Sequence, residues 1–84
     1  MHDLHEANKI LKVIFDYAGR NKLRKVTKAK VELGSIIEHG AEISAENLVF
    51  NLQMLARGTL ADGFKIEVRQ TKIDGWVLKE IEGE

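Results

Sequence analysis

The residues of this chain best suited to chemistry stand at its start. Met1 supplies an amine, and His2 supplies a backbone amide and an imidazole. Amine, deprotonated amide and the nearer ring nitrogen can close fused five- and six-membered chelate rings around one metal ion. In-plane nitrogen donors of this kind suit square-planar Ni(II) or Cu(II), whereas zinc prefers a tetrahedron. The fourth position can come from the Asp3 amide, from His5, from a partner or from solvent. His5 follows His2 by three residues, within reach once a first helical turn forms. The third histidine, His39, lies between Glu38 and Gly40 in a loop and takes no ligand role.

A second candidate is the basic stretch Arg20, Lys22, Arg24, Lys25, Lys28 and Lys30, with no acid between Asp16 and Glu32. Such a run can track a phosphate backbone or meet an acidic protein. It also fits the plain preference for cations at a helix C-terminus followed by the solvated face of a strand. No aromatic residue interleaves these charges to stack on bases, which weighs against nucleic acid. Thirteen basic residues balance thirteen acidic ones, so bulk charge gives no help. The absence of cysteine excludes disulfides, a thiol nucleophile and every cysteine-ligated zinc or iron–sulfur site. With no glycine-rich phosphate loop and with Ser35 and Ser44 suited to loop and cap, the chain reads as a non-enzyme.

The elements that must position these residues follow from periodicity. Leu4, Ala7, Leu11, Ile14 and Ala18 form one helical stripe over 3–18, with Asp3 and Glu6 spaced as a capping box and Gly19 as the stop. From 27 to 33 the period changes to two, a half-buried strand ended by Gly34. A loop over 35–43 leads to Ser44 as N-cap of a second helix carrying Ala45, Leu48, Val49, Leu52, Leu55 and Ala56 and stopped by Gly58. Alternation resumes after Gly63 with Phe64, Ile66 and Val68 against Lys65, Glu67 and Arg69. Asp74-Gly75 predicts a two-residue hairpin, in which Ile73 faces Trp76, Val68 faces Ile81 and Arg69 faces Glu80. In that register Ile73, Trp76 and Leu78 share the face away from the core, an apolar cluster fit for a homodimer or another protein.

The predicted architecture is α+β, in the order α-β-α-β-β, with two helices packed on one face of a small three-stranded sheet. Strand order stays open. Leu11, Ile14, Leu48, Leu52, Ala29, Val31, Ile66 and Val68 should form the core of a single domain, 1–84. A chain of this length buries only about 60–65% of its unfolded surface, so its stability margin is small. Apolar runs reach three residues, as in Val13-Ile14-Phe15, far short of a membrane span, and the start lacks a signal peptide's pattern. The expected location is cytoplasmic.

Four stretches then resemble a known family, the hydrogenase nickel-incorporation proteins HypA/HybF. Met1-His2-Asp3 opens a helix where the family has Met-His-Glu. Lys30-Val31-Glu32-Leu33-Gly34 is similar to the family's first strand with its closing glycine. Leu55 to Gly63, followed by Lys65-Ile66-Glu67, resembles the family's turn into the next strand, and Trp76 to Glu82 its closing strand. The resemblance implies a nickel-binding metallochaperone for maturation of a NiFe hydrogenase or another nickel enzyme. Metal would be held at Met1 and His2, with Asp3 and His5 beside them. It implies two partners, a GTPase of nickel insertion and the hydrogenase large subunit. The family's two CxxC pairs, its zinc module, would fall at Gln70 to Gly75, where this chain has none, so Ni(II) and no zinc is the expectation. Ser35 and Asp3 also depart from the family's acidic residue and Glu. A diverged member acting as an interaction module without delivery, and a small nucleic-acid-binding domain using 20–30, remain the alternatives.

Overall fold

The computed structural model describes residues 3–35, 37–38 and 41–84. Met1, His2 and His39 lie outside the described residues. Helix α1 runs Asp3–Arg20 and strand β1 Val26–Ser35. The short strands β2 (Ile37–Glu38) and β3 (Ala41–Glu42) pair with each other in what reads from sequence as a loop. Helix α2 spans Ala45–Leu55, and strands β4 and β5 span Lys65–Asp74 and Trp76–Gly83.

The main sheet has the order β4-β1-β5, with β4 parallel and β5 antiparallel to the central β1. Both helices cover one face, α2 against β4 and α1 against β5. Ala29, Val31 and Leu33 of β1 are buried there with Ile10, Leu11 and Ile14 of α1 and Leu48 and Leu52 of α2. Ile66 and Val68 pack against this core from β4. The other face carries a ladder of charge. Lys28 and Lys30 approach Glu67 at 3.3 and 4.0 Å, and Lys30 also approaches Glu80 at 3.5 Å.

The predicted hairpin is not made. β4 and β5 are joined by Gly75 alone yet lie on opposite sides of β1, so Val68 faces Val31 rather than Ile81, and Arg69 faces Glu32 rather than Glu80. Only Gly75 takes positive φ, 78°, at this link. The chain must therefore cross the end of β1, and the register of β4 shifts between Leu33 and Ser35 as it does so. Gly34 makes the crossing possible: a Cβ there would overlap the Ile73 carbonyl. Its N–H donates to the Gly75 carbonyl at 2.7 Å, and the Gly75 N–H donates to Ser35 O at 3.2 Å.

The apolar cluster expected on the far face is also absent. A β-bulge in β5 sets Lys30 opposite Glu80 but Val31 opposite Leu78, leaving Lys79 as the extra residue. One inserted residue reverses the parity of the strand, so Trp76, Leu78 and Ile81 all pack against the core on the helix side. With Trp76 and Leu78 so placed, a homodimer through Ile73, Trp76 and Leu78 loses its basis.

Helix ends are set by local chemistry. α1 continues through Gly19 and ends in a Schellman turn, with Leu23 N–H on Ala18 O at 2.9 Å and Lys22 at φ 57° where glycine is usual. The Ser44 side chain caps α2 by accepting from the Asn47 N–H at 3.1 Å. Beyond α2 the turn is self-satisfied. Thr59 Oγ1 donates to Ala56 O at 2.6 Å, Asp62 Oδ2 accepts from Gly58 N–H at 3.0 Å, and Leu60 O accepts from Val26 N–H at 2.9 Å. The stretch that resembles a family motif is thus structural, stitching α2 to the start of β1.

Candidate functional site

The candidate metal donors sit at one end of α1. Asp3 is the first residue of the helix and His5 lies exposed in its first turn, while Met1 and His2 precede the described residues. Among the described residues, no three His, Cys, Asp or Glu side chains come together in a group that could hold a metal ion. His5 is the described side chain nearest in sequence to Met1 and His2.

What holds the first turn is a contact that the sequence did not announce. Trp76 Nε1 donates to Glu6 Oε1 at 3.0 Å, across seventy positions of chain. The second oxygen, Glu6 Oε2, lies 3.6 Å from Lys9 Nζ one turn on. Among the described residues Glu6 thus serves β5 and Lys9. A half-buried indole N–H needs an acceptor, and a carboxylate in a helix's first turn is also favoured by the helix dipole. Trp76 reaches this position because of the bulge in β5 and the crossing over Gly34. Neither is visible in a run of alternating residues.

The basic stretch is partly neutralised. Arg20 pairs with Asp16 at 3.1 Å and lies 5.6 Å from the centre of the Tyr17 ring. Lys28 and Lys30 belong to the outer ladder of the sheet. Among the described residues, Lys22, Arg24 and Lys25 make no ion pair and project from the exposed loop between α1 and β1. The ladder leaves one mark on titration. The hydrogen bond from Lys28, with its charge and those of Lys30 and Lys65, holds the Glu67 carboxyl below the ordinary glutamate range against a weaker desolvation effect. Ser44 Oγ is engaged as a cap, as read from sequence. No described helix is long and apolar enough to cross a membrane.

With this geometry in hand, the chain compares with known proteins as follows. No protein-family model matches it. It is 34% identical over 79 residues to the hydrogenase maturation factor HypA of Cupriavidus necator, covering 94% of this chain and 63% of that one. It is 33% identical over 78 residues to HypA of Polaromonas naphthalenivorans, covering 93% and 64%. The chain thus spans just under two thirds of the length of these curated relatives. The solution structure of the Ni metallochaperone HypA from Helicobacter pylori superposes with a TM-score of 0.74 over 98% of this chain and 97% of that one. At 10% identity, that likeness concerns the fold. The similarity to these maturation factors therefore extends over nearly the whole chain.

Proposed function

We propose that this chain, similar along most of its length to the HypA maturation factors, is a nickel-handling accessory protein for maturation of a nickel enzyme, a NiFe hydrogenase in the first instance. The observation that carries the reading is the 34% identity over 94% of the chain to a hydrogenase maturation factor. The mechanism is local. The Met1 amine, the His2 amide nitrogen and the His2 imidazole bind Ni(II) in one plane, and the Asp3 amide or His5 completes the square. Nickel is cargo here, received and handed on in the cytoplasm to a GTPase partner or to the large subunit of the enzyme. The chain has no cysteine and joins β4 to β5 through Gly75 alone, so no CxxC pair can supply a further ligand from that link. The same fact supports the second reading, an interaction module that keeps the scaffold without delivering metal.

Nickel titration decides between them. The native terminus should bind Ni(II) with the visible band of a square-planar complex, and calorimetry should show one site. Acetylating or tagging Met1 should abolish the complex with every side chain intact. His2→Ala should also abolish it, His39→Ala should leave it unchanged, and His5→Ala tests the fourth position. Protons compete for the same nitrogens, so affinity should weaken as pH falls. Equal binding by blocked and native termini would remove this mechanism, and no binding by either would favour the interaction module.

A further inference from the structure

An open surface of the molecule runs along β4. This strand is an edge of the main sheet, and among the described residues nothing pairs with its outer side. Beside that edge, on the helix side, α2 and β4 leave an apolar groove of about 340 Å³ lined by Ala45, Glu46, Val49, Phe50, Gln53 and Val68. Phe50 is 64% exposed, more than any other large apolar side chain described. Open strand edges are commonly blunted by bulges, prolines or covering loops, and exposed apolar grooves commonly receive something. Over Lys65–Gln70 the edge is regular: the register of β4 against β1 is unbroken from Lys65 to Gln70 and shifts only beyond it.

We propose that β4 pairs antiparallel with β4 of a second copy. The two sheets then form one continuous sheet, and each groove closes against the second copy's Phe50 and Val49. Charge selects both occupant and register. In an antiparallel pair, opposed residues share a face. A two-fold axis centred on Glu67 sets Glu67 against Glu67 and Lys65 against Arg69, all like charges. Centred on Ile66, it opposes Lys65 and Glu67 but runs off the start of β4 after that pair. Centred on Val68, it sets Glu67 against the second copy's Arg69 twice, Lys65 against neutral Thr71, and Val68 against Val68 beside the groove. Arg69 is available for this, since it makes no ion pair among the described residues although Glu32 lies opposite it on β1. The contact is isologous, so each side-chain change acts at two symmetric places.

Sedimentation velocity over a concentration series tests this, and it is independent of the nickel reading. Wild type should show a concentration-dependent dimer. Phe50→Ser and Arg69→Glu should each weaken it by about tenfold or more, since both symmetric copies of a cross-strand pair or groove contact are lost. Glu67→Arg combined with Arg69→Glu should bring it back, because the pairs re-form with the charges exchanged. Circular dichroism establishes that each variant is folded; should the double variant fail to fold, the two single variants decide. A wild type that stays monomeric at every concentration overturns the proposal. So does a dimer unchanged by both single substitutions, or a folded double variant that stays as weak as Arg69→Glu.

Discussion

Gly34→Ala probes the feature on which the rest of the molecule depends. At this position the chain passes from β4 to β5 directly over β1, and an added methyl group would overlap the Ile73 carbonyl, which is backbone and cannot rotate away. The crossing must lift. Overpacking of this kind costs about 1–3 kcal/mol. Lifting also strains the two hydrogen bonds that fasten the crossing, Gly34 N–H to Gly75 O and Gly75 N–H to Ser35 O, each worth about 0.5–1.5 kcal/mol. The expected loss is roughly 2–6 kcal/mol, out of a total near 5–15 kcal/mol for a small domain. Urea unfolding followed by Trp76 fluorescence is the assay, since the indole sits just past the crossing and should report its displacement even in the folded state. A Gly34→Ala variant with stability within about 0.5 kcal/mol of wild type and an unchanged emission maximum would refute the crossing as described.

Three other outcomes are expected. Leu52 is fully buried between the helices and the sheet, so Leu52→Ala should lose about 2–5 kcal/mol in urea unfolding; a change below about 1 kcal/mol would mean that α2 presents another face. Lys22 holds φ 57° at the end of α1, a conformation costing a side-chain-bearing residue about 1–2 kcal/mol, so Lys22→Gly should raise the melting temperature by a few degrees, while Lys22→Ala, which keeps the strained φ, should not. Glu67 is held below the ordinary glutamate range chiefly by Lys28, so its folded-state value lies under its unfolded one. Its small, solvent-screened contribution is then present above the unfolded value and fades as pH falls through the folded one. Carboxyl NMR should show Lys28→Met moving the Glu67 midpoint upward; no movement would remove Lys28 as the cause.

The parts of this fold that sequence made legible are those decided locally. The stripe Leu4, Ala7, Leu11, Ile14 and Ala18 needs only the helical period, and Ser44 needs only its own hydroxyl and the Asn47 N–H three residues on. The inner face of β1 was readable for the same reason. What failed was long-range. An Asp-Gly pair between alternating strands states that the chain reverses, but not whether a third strand lies between the arms, and here β1 does. Gly34 was read as the end of a strand because a terminator and a crossing point both ask for a missing Cβ. The bulge at Lys79 then moved Trp76 and Leu78 from the outer face to the core, and with them the surface that had suggested a dimer.

The candidate site divides along the same line. Met1, His2, Asp3 and His5 could be named as candidate donors from residue type and spacing alone, since a terminal chelate is built by consecutive atoms and needs no fold. The seating of the first turn of α1 was not legible, because Glu6 and Trp76 lie seventy positions apart and each had a plausible local use, a capping box for one and a cross-strand neighbour for the other. Joined at 3.0 Å, they fix the first turn of α1 to the first residue of β5. The orientation of that turn is therefore set by the crossing at Gly34 and the bulge at Lys79. An α1 beginning with the same residues on a sheet lacking those two irregularities would carry the same candidate donors on a first turn oriented differently.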